Sequence, residues 1–237
     1  MKKKWIILTI TLSVVGVCFS GQSAQDGQDE DTFEAKTIDS IPVGTIKNKG
    51  ISDLDPSVHS ESRYTDAEGN DVIFQNSFPK GGAYIDSSGV LSGGDTTGVR
   101  YGYGVFWTRL TNETINPLEL TINFPADSLV LASFPESYFR LFLPPDNMSV
   151  DKLSLYSYGI ADLESSLAAG FQEISMLQET VDLNEAFYFY VVLLFHAAKN
   201  GLVRTGFVAK NQDLFYKIDI EPYGSTLIPC GRLVFNK

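Results

Sequence analysis

The sequence predicts a mostly β fold, an immunoglobulin-like β-sandwich of about eight strands with one or two short helices. Three observations carry this. Leu118, Leu120, Ile122 and Phe124 alternate with Glu119, Thr121 and Asn123, the period-two pattern of a strand with one wet and one buried face. Residues 64 to 98 hold three Asp-x-x-Gly units, Asp66 to Gly69, Asp86 to Gly89 and Asp95 to Gly98. Asp caps its own backbone at a turn and Gly takes the positive φ that closes it. From Ala186 to Ala198, Phe187, Phe189, Val191, Leu193 and Phe195 fall on one face and Tyr188, Tyr190, Val192 and Leu194 on the other. Both faces are apolar, so this strand is expected to be central and covered twice. A β-barrel is the competing architecture.

The elements follow in chain order. Lys2, Lys3 and Lys4 precede an uncharged run from Trp5 to Phe19, which ends in Ser20-Gly21-Gln22-Ser23-Ala24. A charged start, a short apolar run and a small-residue exit are the parts of a secretory signal, expected over residues 1–20. The run is short for a membrane span, which needs about 20 residues. Cleavage after Ser20 or Ser23, or lipidation of Cys18 behind Val15-Gly16-Val17, are the alternatives for its processing. Residues 21–61 then carry nine acidic residues against Lys36, Lys47 and Lys49. With few apolar side chains to offset ordering entropy, they read as a flexible acidic tether with one edge strand near Ile41 to Ile46.

Residues 62–237 form the expected single domain. Strands are predicted from Val105 to Asn112, Leu118 to Phe124, Tyr138 to Leu143 (stopped by Pro144-Pro145), and, more weakly, Gln178 to Leu183. A helix over Ala161 to Ala169, ending at Gly170, is expected to pack near the strand that starts at Ala186. A hairpin, Leu202 to Lys210 and Leu214 to Ile220 joined at Asn211-Gln212, and a strand from Arg232 to Asn236 complete the domain.

Charge and motif content narrow the function. Loss of the three signal lysines leaves 15 basic against 29 acidic residues, a formal charge of about −14 and the wrong sign for nucleic acid or an anionic lipid surface. Membrane contact is expected only through the signal or a lipid anchor. If Cys18 leaves or carries lipid, Cys230 has no disulfide partner; in Leu227-Ile228-Pro229-Cys230 it reads as a small buried hydrophobe. Lys80 precedes Gly81-Gly82 rather than following a glycine loop, so there is no phosphate-loop order. Neither Gly-x-Ser-x-Gly nor His-Glu-x-x-His occurs.

Several residues carry candidate chemistry. Asp66, Glu68, Asn70 and Asp71 place four oxygen-bearing side chains in six residues, a weak candidate for calcium beside the plain reading as a turn. His59 and His196 have no zinc-site spacing around them and read as structural before catalytic. Tyr101, Tyr103 and Trp107, with Tyr156 and Tyr158, are candidates for a stacking platform for a ligand such as a glycan, against their alternative use as core. Asn112-Glu113-Thr114 and Asn147-Met148-Ser149 fit the N-glycosylation triplet.

The phrases Asn76-Ser77-Phe78-Pro79-Lys80-Gly81-Gly82, Val105-Phe106-Trp107-Thr108-Arg109, Leu143-Pro144-Pro145-Asp146-Asn147-Met148 and Ile228-Pro229-Cys230-Gly231, with Pro117 to Phe124, carry a resemblance. Over residues 64 to 236 the chain resembles a group of uncharacterised exported β-sandwich-like proteins of Bacteroidetes-type bacteria. The resemblance implies export and a single domain, and assigns no activity or site residue. The expected function is that of a non-catalytic binding domain for a glycan or envelope protein. An extracellular polysaccharide hydrolase and a structural envelope component are the alternatives.

Overall fold

The structure, a computed structural model, describes residues 55–236 except 67, 68, 70, 87, 88, 90–97, 126, 131–134, 136, 171–173 and 197–201. The signal, Cys18, most of the acidic stretch, and the strand expected near Ile41 lie outside the described residues, as do Glu68 and Asn70. The fold is mostly β, with very little helix. Twelve strands are seen among the described residues: β1 Val58–Thr65, β2 Asp71–Ser77, β3 Lys80–Asp86, β4 Val99–Asn112, β5 Leu118–Phe124, β6 Leu129–Val130, β7 Tyr138–Phe142, β8 Ser175–Val181, β9 Ala186–His196, β10 Leu202–Lys210, β11 Asp213–Glu221 and β12 Gly224–Phe235. One helix, α1, runs Leu163–Gly170, preceded by two 3-10 turns, Val150–Lys152 and Tyr156–Gly159.

The strands form two antiparallel sheets. The first has the order β1-β2-β4-β9-β7-β6, with β3 also paired to β4; the second runs β10-β11-β12-β5-β8. The alternation of β5 decides its orientation: Leu118, Leu120, Ile122 and Phe124 are all fully buried. They join Val72, Phe74, Phe106, Leu110, Phe139, Leu141, Val191 and Leu193 of the first sheet, and Phe207, Tyr216 and Ile218 of the second, in one apolar core. Phe207 lies at its centre, its ring 4.9 Å from Tyr216, 5.4 Å from Phe189 and 6.0 Å from Phe74.

A second core covers the opposite face of the first sheet. The odd-numbered residues of β4 and the even-numbered residues of β9 pack there under Phe142, Met148, Tyr158, Ile160 and Leu167. β9 is therefore central and apolar on both faces, and Leu167 of α1 is part of its cover, as expected from the sequence. The cover is pinned by a left-handed turn, Ser157 (φ 44), Tyr158 (φ 54) and Gly159 (φ 73). It directs the Tyr158 ring onto Trp107, whose centroid is 6.5 Å away, while the Tyr158 hydroxyl donates to the Phe78 carbonyl at 2.6 Å. Lys80 donates to the carbonyls of Leu153 and Leu155 at 2.7 and 2.8 Å and lies over the Tyr158 ring.

Two differences from the sequence reading have clear causes. The described residues hold twelve strands rather than about eight, mainly because β1, β2 and β3 form hairpins around the Asp-x-x-Gly turns. Gly69, Gly89 and Gly98 all take positive φ, and the Gly69 amide donates to the Asp66 carbonyl at 3.2 Å. β1 starts at Val58, so it takes in the last residues of the acidic stretch. The last strand starts at Gly224 rather than Arg232. Pro229 argues against a strand, but it sits where the register with β11 shifts by one residue: Phe215 faces Pro229 and Leu214 faces Gly231. A bulge absorbs the missing N–H.

Candidate functional site

The two sheets meet along two seams. At one, β10 runs beside β1 and β2, and side chains of the first sheet close its edge. The His59 Nε2–H donates to the Thr205 carbonyl at 2.7 Å, and the Ser62 hydroxyl to the Phe207 carbonyl at 2.7 Å. The Phe207 amide donates to Asn76 Oδ1 at 3.1 Å. The rim groups of Thr205 and Phe207 are thus satisfied by side chains, which blocks the middle of the β10 edge as a template for a further strand. Burial lowers the His59 pKa, and the charge of Arg204 adds to this against the Thr205 hydrogen bond.

The other seam is open. β9 pairs with β4 along its whole length, from Tyr101↔His196 to Thr111↔Ala186. β7 pairs only with Val192 to Phe195, because Pro144-Pro145 ends it. Among the described residues, no strand pairs with the other edge of β9 from Ala186 to Val191. β8 is an edge strand of the second sheet. Between the two lies a cleft of about 690 Å³, lined by Phe187, Tyr188, Phe189 and Tyr190 of β9, Ile174 to Leu177, Pro144 to Asn147, and Ala161, Asp162, Ser165 and Ser166. Consecutive residues of β9 line it, although their side chains point to opposite faces of the sheet, so the cleft runs along the strand's edge. Its outer lip is apolar and wet: Ile174 is 67% and Met176 68% exposed.

Among the described residues, the charged side chains that line the cleft are Asp146 and Asp162. Burial, then the charges of Asp146 and Asp151, push the Tyr190 phenol up to about 12. Asp162 Oδ1 accepts the Ser165 amide at 3.1 Å, capping α1, and hydrogen bonding to Ser165 holds its carboxyl below the usual range. The Tyr188 ring is backed by Trp107, at 6.1 Å, and by the Arg109 guanidinium, at 5.7 Å.

The sequence candidates fall elsewhere. Tyr101, Tyr103 and Trp107 are 1%, 7% and 2% exposed. They belong to the second core, so they form no open stacking platform; Trp107 instead stands behind Tyr188. Tyr158 is buried too, and Tyr156, 77% exposed, meets Tyr103 hydroxyl to hydroxyl at 2.7 Å. Of the calcium candidates, Asp71 is paired with Arg63 and accepts the Thr65 hydroxyl at 2.6 Å. Burial would raise its pKa, but these bonds outweigh that and lower it. A guanidinium thus already neutralises the carboxylate that the calcium reading leaned on, and among the described residues no His, Cys, Asp and Glu group has a metal-holding arrangement.

His196 stacks on Tyr138 at 4.7 Å. Cys230 is buried, with its thiol pKa raised by burial and its Sγ 3.5 Å from the Leu214 carbonyl. Asn112, in a glycosylation triplet, is fully buried, and its amide donates to the carbonyls of Asn116 and Val181 at 2.9 Å each. The cleft residues Asp146, Asp162, Ile174, Met176 and Tyr188 were not singled out from sequence. The signal for them was the mismatch between a long apolar strand and a short neighbour stopped by two prolines.

The chain matches no family model, and no curated protein matches it.

Proposed function

We propose that the protein is an exported, non-catalytic binding domain of the cell envelope that holds its ligand in the cleft between β8 and β9. The observation that carries this is the contrast of seams: a core laced shut along β10 and left open, with apolar walls, along β9. A cavity of about 690 Å³ falls in the range of ligand sites, which are concave, mostly apolar and carry a few polar groups. Export and envelope placement rest on the signal pattern at Lys2 to Ala24, with the acidic stretch as spacer and Cys18 as the residue a lipid would take. The immunoglobulin-like sandwich is our architectural reading: two antiparallel sheets over a shared core support it, although twelve strands exceed the usual seven to nine.

A polysaccharide hydrolase finds less support. Glycoside hydrolysis requires one carboxyl with a raised pKa as general acid. Asp162 has the opposite shift and is engaged in capping α1.

The test is site-specific photocrosslinking in the producing cell. Benzoylphenylalanine replaces Met176 on the cleft lip or, as control, Leu202 on β10. A discrete adduct from position 176 and none from 202 supports the proposal. No adduct at 176, or the same adduct from both, contradicts it.

A further inference from the structure

Resting on the cleft as the binding site, we infer that its occupant is an extended, positively charged peptide segment that adds as a strand to the open edge of β9. The edge gives the first argument. In an antiparallel strand alternate residues direct both N–H and C=O to the same side. Every second residue from Phe187 to Tyr190 therefore directs its N–H and C=O to the cleft, where no strand among the described residues pairs with them. A second main chain has the spacing to satisfy such a row, which is recognition by strand addition. Four residues of edge run about 13 Å, room for a strand of four or five residues.

Charge and wall chemistry give the second. Asp146 and Asp162 line the cleft, with no basic side chain among the described lining residues. Two cations stand behind the lining with their charge already engaged: Lys152 donates to the Asn147 carbonyl at 2.5 Å and lies 5.9 Å from the Tyr190 ring, and Arg109 packs on Tyr188. Pro145, Ile174 and Met176 supply the apolar side. A strand with bases on one face and apolar residues on the other matches both walls, since successive side chains alternate. The chain's own acidic stretch has the wrong sign for this site. The hydroxyls of a neutral glycan lack the regular spacing of a second main chain and would leave Asp146 and Asp162 without a counter-charge.

The test is a titration of the full exported chain, followed by 15N-resolved NMR, with acetyl-(Lys-Val)3-amide as probe. The expected result is shifts confined to Phe187–Tyr190 and Ser175–Leu177. N-methylating the three lysine amides in one probe and the three valine amides in another should weaken binding at least about tenfold for the series whose donors pair with β9. Replacing lysine by glutamate in the probe should cost about tenfold or more through like-charge repulsion. The double variant Asp146→Asn/Asp162→Asn, whose Asn still caps α1, should bind the lysine probe about three- to tenfold more weakly, with the loss shrinking at high salt. Met176→Lys, at an exposed position, should weaken the lysine probe and strengthen the glutamate one.

Undiminished binding of both N-methylated probes, or equal binding of the two charge forms, overturns the inference. If a neutral hexasaccharide binds at the cleft and the peptides do not, the inference falls and the binding domain stands. If no probe binds and position 176 gives no photoadduct, both fall.

Discussion

β9 and β10 both present strand edges at a seam between the sheets, and they have opposite fates. On β10, Thr205 and Phe207 have their rim groups matched by His59, Ser62 and Asn76. On β9, the stretch from Ala186 to Val191 has β4 on one side and a cleft on the other. Both strands have a buried centre, Thr205 to Phe207 on β10 and Phe189 to Leu194 on β9. What differs is what stands opposite: polar side chains with short reach on β1 and β2, against Pro144-Pro145, the exposed lip of β8 and the end of α1. An edge is closed by its neighbour's side chains, and where the neighbour stops short, it stays available.

The comparison can be broken at several points. The largest expected effect is at the closed seam's apolar centre. Phe207→Ala should destabilise by about 3–5 kcal/mol in a urea melt, because several aromatic rings lose a shared partner and a cavity remains. Asn76→Ala should cost about 1–3 kcal/mol, since it leaves the buried Phe207 amide without an acceptor. His59 should make the closed seam pH-sensitive. Its folded pKa lies below the usual 6.5, so the folded state resists a proton that the unfolded chain accepts. Stability should therefore fall as pH drops below about 6.5, and His59→Gln should flatten that fall above the carboxylate range. At the open seam, Met176→Ala should change stability by less than about 0.5 kcal/mol, as an exposed lip residue does. An equal cost at Met176 and Asn76 would erase the distinction between the seams.

Much of the fold was legible because period and parity are local. The alternation of β5, the two-faced apolar run of β9 and the positive-φ glycines at Gly69, Gly89 and Gly98 are read from a few residues each. β12 was cut short because Pro229 is a strand breaker unless a bulge receives it, and the bulge depends on β11. The site was harder. Tyr101, Tyr103 and Trp107 share a face by parity, but the segment that covers that face is irregular, held by the Ser157–Gly159 turn, and leaves no period in the sequence. The cleft arises from a length mismatch between β7 and β9, visible in Pro144-Pro145 but meaningful only once their pairing is known.

The most direct test of the two-seam account is amide hydrogen exchange, residue by residue, on the free protein and with the lysine–valine hexapeptide. The account expects the Phe207 amide to exchange only through global unfolding. It expects alternate amides among Phe187 to Tyr190 to exchange orders of magnitude faster when free, and to slow when the peptide is present. Uniform protection of β9 in the free protein would mean that its edge is already satisfied, and would contradict the open seam on which the binding reading depends.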